Sequence, residues 1–108
     1  MADEHPVLEH ALLPVRPGHE ASFEAAIAEA VPLIACQPGF GGLEVRRCVE
    51  RPSTYLLLVT WSSVEAHEAG FRESSEYEQW RDLLHRFYDP FPTVEHFVPV
   101  LTDSDRRG

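Results

Sequence analysis

Five consecutive apolar residues, Tyr55, Leu56, Leu57, Leu58 and Val59, constrain this chain more than any other stretch. Side chains of a strand point alternately to opposite faces of a sheet, so a strand that is apolar at every position expects cover on both faces. One layer of helices covers only one of them. A chain of 108 residues is long enough for one modest core and too short for a second sheet. The cover for the other face is therefore expected from a second copy of the chain, as a homodimer joined through its sheet faces.

Periodicity supplies the remaining elements. Residues 7–15 alternate as a first strand, with Leu8, His10 and Leu12 on one face and Val7, Glu9, Ala11 and Leu13 on the other. Phe23, Ile27, Ala30, Val31 and Ile34 recur at helical spacing over residues 19–35, with a kink expected at Pro32 because proline has no amide hydrogen to donate. Pro38 and Gly39 end that helix. Residues 43–50 alternate as a second strand, and Arg51, Pro52 and Ser53 turn into the third, residues 54–61. Ser62 or Ser63 can cap a short helix running to about Gly70. Ser74 or Ser75 can cap another, whose stripe is Tyr77, Trp80, Leu84, Phe87 and Tyr88, flanked by Arg81 and His85. Residues 93–101 read as a fourth strand, which bounds one domain at residues 7–101, with 1–6 and 102–108 as flexible ends. The order strand, helix, strand, strand, helix, strand is the ferredoxin-like α+β arrangement, a four-stranded antiparallel sheet with both helices on one face.

Charge and motifs narrow the function classes. A formal net charge of −9 repels nucleic acid and anionic membrane, so neither is an expected partner. An acidic N-terminus without an apolar run, and the lack of any apolar stretch near the length of a membrane span, lead to the expectation of a cytoplasmic protein. Cys36 and Cys48 have no ligand-like spacing and read as reduced thiols. No metal site is expected, since no HxH or HExxH occurs, and no dinucleotide site, since Gly39, Gly41 and Gly42 precede a strand and open no helix.

The run from Pro38-Gly39-Phe40 through the strand ending in Trp61, then WSSVEAHEAGFRES and YEQW, resembles the antibiotic biosynthesis monooxygenase domain over residues 7–100. The resemblance implies a dimeric α+β barrel and, among its activities, cofactor-free oxidation of polyketide phenols and quinols or degradation of haem. The haem-degrading pattern has an Asn, a Trp and a haem-ligating His where this chain places Ala11, Phe71 and Arg81. The polyketide-oxidising branch is similar at Trp61 and Arg81, which there help to hold substrate oxygens, and it has an Asn and a Tyr where this chain has Leu57 and His67.

These readings converge on a cofactor-free monooxygenase of a small electron-rich aromatic, a phenol, quinol or anthrone. A histidine would deprotonate the substrate, Arg81 and the Trp61 N–H would hold the anion, and the anion would pass an electron to O2. The expected catalytic residues are Trp61, His67, Arg81 and His85, and the expected substrate-binding residues are His10, Leu57, Phe71, Tyr77, Trp80 and His96. His10 and His96 each follow a Glu, in LEHAL and VEHF, so pairing in register would put the two histidines on one face and Glu9 with Glu95 on the other. The alternatives are a non-catalytic dimeric module that binds a small hydrophobic ligand, and a haem-binding or haem-degrading relative.

Overall fold

The computed structural model describes residues 6–103; of the flexible ends expected at 1–6 and 102–108, residues 1–5 and 104–108 lie outside the described residues. Strand β1 (Val7–Pro14) is followed by helix α1 (Glu20–Ala35), strands β2 (Phe40–Arg47) and β3 (Thr54–Trp61), helix α2 (Ser75–Leu84) and strand β4 (Val94–Phe97). A single π-helical turn, Ala66–Phe71, precedes α2, and a 3-10 turn, His85–Phe87, follows it. The strands order as β2-β3-β1-β4, with β1 antiparallel to both neighbours, as the ferredoxin-like reading expects.

Local chemistry explains where the elements start and stop. Ser63 Oγ accepts the Ala66 N–H, and Ser74 Oγ accepts the Tyr77 N–H at the start of α2. The α1 helix continues through Pro32 to Ala35. Gly39 has a φ of +87°, and a Cβ there would sit 2.6 Å from Ser62 Oγ and 2.7 Å from Ala66 Cβ, so only glycine lets the end of α1 press against the π turn. The β2 strand begins at Phe40, three residues earlier than expected, through an irregularity in its pairing between Phe40 and Gly42. The β4 strand ends at Phe97 instead of residue 101, and Pro99 just beyond has no N–H to extend the ladder.

One face of the sheet is closed and the other is open. On β1, Val7, Glu9, Ala11 and Leu13 are buried, while Leu12 is 46% exposed and Leu8 36%. On β3, Tyr55, Leu57, Val59 and Trp61 are buried under α1 and α2 with Phe23, Ile27, Ala30, Ile34, Trp80 and Leu84, whereas Leu56 and Leu58 are half-buried.

The β1–β4 register corrects the expected pairing of the histidines. Glu9 lies opposite His96, and His10 lies opposite Glu95. A shift of one residue exchanges the faces of a strand. Pairing Leu8 with Phe97 and Ala11 with Val94 puts His96 on the helix side with Glu9, and leaves His10 on the open side with Glu95.

Candidate functional site

Between the sheet and α2 lies a cavity of about 160 Å³. Its inner wall consists of buried residues: Ala11, Leu13 and Leu57 from the sheet, Phe71 from the π turn, Trp80 from α2, and Tyr88 after the 3-10 turn. Tyr77, His85, Phe91 and Arg72 complete it toward solvent. Phe71 meets Tyr77 and Trp80 edge-to-face at 5.2 and 5.4 Å between ring centroids, and Phe91 meets His85 in the same way at 4.8 Å. The result is an aromatic slot with two polar places on its wall, one at Glu9 and His67 and the other at Arg72.

The π turn brings these polar groups together. An i to i+5 bond from the Arg72 N–H to the His67 carbonyl, 3.0 Å, widens the backbone ring by one residue. His67, Phe71 and Arg72 all line the cavity from this turn. The His67 ring stacks on Trp61 at 5.3 Å and an interplanar angle of 16°.

Glu9 is the charged residue on an otherwise apolar face of β1, and it is buried. Its Oε1 accepts the Trp61 Nε1–H at 2.8 Å and stands 3.4 Å from His67 Nε2. His67 Nδ1 in turn lies 2.8 Å from His96 Nε2. One consistent assignment of protons has His96 Nε2 donating to His67 Nδ1, which leaves the protonated Nε2 of His67 facing the carboxylate at 3.4 Å, beyond a well-formed hydrogen bond. The three groups run in a line and do not converge. Among the described residues no cluster of three or more such side chains is arranged as a metal site.

Burial sets the electrostatics. Loss of solvent pushes the Glu9 carboxyl above its ordinary value, against the Trp61 hydrogen bond and the Arg72 charge, which pull it down. Burial first, then the Arg72 charge and His96, hold His67 down at about 3, so its imidazole is neutral at pH 7 and a weak base. His85 is also lowered, by burial and then by Arg81 and Arg72. Tyr88 is raised by burial, so its hydroxyl stays protonated and can donate.

Of the residues expected from sequence, His67, His85, Leu57, Phe71, Tyr77 and Trp80 line this one cavity. Four others stand elsewhere. Trp61 lies behind His67, fully buried, with its N–H already given to Glu9, so it is not free to hold a substrate anion. Arg81 is on the outer side of α2, exposed, 3.7 Å from Asp82. His96 touches His67 but is not part of the wall. His10 sits on the open face, 5.3 Å from the Phe97 ring, beside a shallow groove with Leu12 and Phe91. Glu9, Arg72 and Phe91 were not among the expected residues. Glu9 alone had a visible signal, a charge among Val7, Ala11 and Leu13 at period two.

Comparison with known proteins places this geometry. The family model described as antibiotic biosynthesis monooxygenase matches residues 6–83. The uncharacterised protein YczJ of Bacillus subtilis (strain 168) is 49% identical over 94 residues, covering 87% of this chain and 99% of YczJ. A solved structure from Bordetella bronchiseptica, assigned as an antibiotic biosynthesis monooxygenase, superposes with a TM-score of 0.86 at 37% identity, over 91% of this chain and all of that one. Another with the same assignment, from Nitrosomonas europaea, has a TM-score of 0.79 at 14% identity over 93% of this chain and 95% of that one, a likeness of fold.

Proposed function

The chain belongs to the antibiotic biosynthesis monooxygenase family, and from that membership we propose that it oxidises a single-ring, electron-rich phenol or quinol with O2, without a bound cofactor. The observation that supports this reading is the aromatic cavity with a carboxylate, an imidazole and a guanidinium on its wall. Its volume of about 160 Å³ is close to that of cavities of about 150 Å³ known to take a benzene-sized ligand. One ring fits, whereas a three-ring anthrone, a flavin or a tetrapyrrole would require the walls to part.

The chemistry follows from the lining. Stacked and edge-on rings hold the substrate plane, and Arg72 at the outer wall stabilises the charge that develops on the ring oxygen when its proton leaves. Arg72 takes the part first expected of Arg81. Few waters fit beside a ring in such a slot, which strengthens that contact. The electron-rich anion then reduces O2; one oxygen atom enters the product as a carbonyl and the other leaves as water.

The open face belongs to the same proposal. Leu8, Leu12, Leu56, Leu58 and Phe97 form a stripe too apolar to leave in water, and a second copy docked face to face would cover it.

Oxygen uptake tests the reaction, with a panel of one-ring quinols and phenols in the presence of chelator. Wild type is expected to consume O2 with at least one panel member, Arg72→Ala to lose most of that rate, and Arg81→Ala to keep it. Folded protein that binds the panel without uptake would identify a ligand-binding module instead.

A further inference from the structure

The cavity has two neutral imidazoles on its wall, and the buried one is a poor place to put a proton. Glu9 is different. It reaches the same wall, and both of its contacts, from Trp61 Nε1 and His67 Nε2, fall on Oε1. Among the described residues no hydrogen bond or ion pair falls on Oε2, and no buried side-chain oxygen lacks a partner, so Oε2 keeps accessible surface on a residue that lines the cavity. The groups around Glu9 are Trp61 from β3, His67 and Arg72 from the π turn and its end, Tyr88 after the 3-10 turn, and His96 behind His67 on β4. A carboxylate pinned through one oxygen, with the other facing a ligand slot, has the geometry of a general base held in register by its neighbours.

We propose that Glu9 is the base of this site, its Oε2 taking the ring-hydroxyl proton of the bound phenol, while Trp61, His67 and His96 hold Oε1 and so position the carboxylate. The O–H bond of the ligand breaks, the Oε2–H bond forms, and the electron pair remains on the ligand oxygen beside Arg72. His67 and His96 are positioning residues: His96 is hydrogen-bonded to His67, the His67 ring packs with its Nε2 3.4 Å from Oε1, and neither imidazole needs to change charge. The assignment rests on the cavity being a phenol site.

The test uses 4-nitrophenol, whose anion is yellow and whose neutral form is not, and 4-nitroanisole, which has a similar shape and no proton to give. Added to the full chain in weak buffer below the phenol's own pKa, 4-nitrophenol is expected to develop the anion band on binding without releasing a proton to solvent. Glu9→Gln keeps a carbonyl oxygen for the Trp61 N–H; it is expected to bind both probes and to lose at least about tenfold of the anion band. His67→Gln is expected to bind both probes with a weaker band, recovered partly at higher pH. An anion band that persists in Glu9→Gln, above all one lost in His85→Ala, would overturn the assignment. So would a proton released to solvent with the band in wild type, a result that does not depend on any variant folding. Wild type that binds both probes without the band overturns the base and leaves the cavity reading standing; failure to bind either removes both. A band without oxygen uptake supports Glu9 and counts against the oxygenase reaction alone.

Discussion

Leu57 and Leu58 are neighbours on β3 with the same chemistry and opposite surroundings. Leu57 is buried on the helix side and forms part of the cavity wall; Leu58 is half-buried on a face that no element among the described residues covers. The contrast extends across the sheet. The helix side is a complete core with a polar line built into it, from buried Glu9 to buried His67 to half-buried His96. The open side is an apolar stripe of Leu8, Leu12, Leu56, Leu58 and Phe97, with Glu44, Arg46, His10 and Glu95 around it. Burying a carboxylate and an imidazole costs stability, and proteins keep such groups where chemistry needs them. Among the described residues the open side holds no comparable group, which under the proposed function makes one face the chemical half and the other the assembly half.

The largest effect expected from this division concerns β3. Trp61→Ala should cost about 3–5 kcal/mol of folding free energy, because it leaves a large cavity and orphans Glu9. Urea unfolding should show this loss at every protein concentration. Leu58→Ala should cost under roughly 1 kcal/mol at high dilution and progressively more as concentration rises, since in the proposed face-to-face dimer the lost contacts are with a second copy. Equal, concentration-independent costs would break the contrast.

Acid provides the next test. The folded-state value of His67, near 3, lies below its ordinary value, so between about 6.5 and 3 the unfolded chain binds the proton that the folded chain refuses. Stability from this group is present above the unfolded value and falls as pH drops through that window. Glu9 is shifted upward and contributes in the opposite sense, its share fading as pH rises through its folded-state value. The two contributions oppose each other, so His67→Gln should flatten the acid limb by on the order of a few kcal/mol at most, as read from midpoints of unfolding between pH 7 and 4.

A smaller effect separates two glycines. Gly39→Ala meets both a positive φ and contacts of 2.6 and 2.7 Å, and should cost about 1–3 kcal/mol while loosening the π turn that carries His67. Gly18 has φ +91° with nothing within 4 Å, so Gly18→Ala should cost only the backbone strain, about 1 kcal/mol. Thermal midpoints of the two variants measure the difference. The smallest effect distinguishes two arginines: Arg72→Ala should weaken binding of an anionic phenol about tenfold, or roughly 1.4 kcal/mol, and Arg81→Ala should change it little. Isothermal titration with 4-nitrophenol reports both.

Much of the fold was legible because its signals are local and periodic. The run of Tyr55 to Val59 announced a strand with two apolar faces, the alternation in β1 assigned its faces correctly, and Ser63 and Ser74 marked two helix starts. The site was legible only in part. The spacing of Tyr77, Trp80, Leu84, Phe87 and Tyr88 put aromatic and apolar residues on one side, but which flank of α2 faces the sheet depends on packing, and Arg81 turned outward while Arg72 supplied the cation. Nothing in the sequence fixes the β1–β4 register, and a single-residue offset moved His96 from beside His10 to beside Glu9. The π turn was invisible as well: one extra residue in a helical ring changes which side chains share a wall, and no residue type marks it.

The most direct measurement is leucine-methyl NMR of the full chain, titrated with a one-ring phenol and then diluted. The phenol is expected to shift the methyls of Leu57 and Leu13 and to leave those of Leu8, Leu12, Leu56 and Leu58 in place, while dilution moves the second group and spares the first. A phenol that shifts Leu56 and Leu58 but not Leu57 would contradict this expectation.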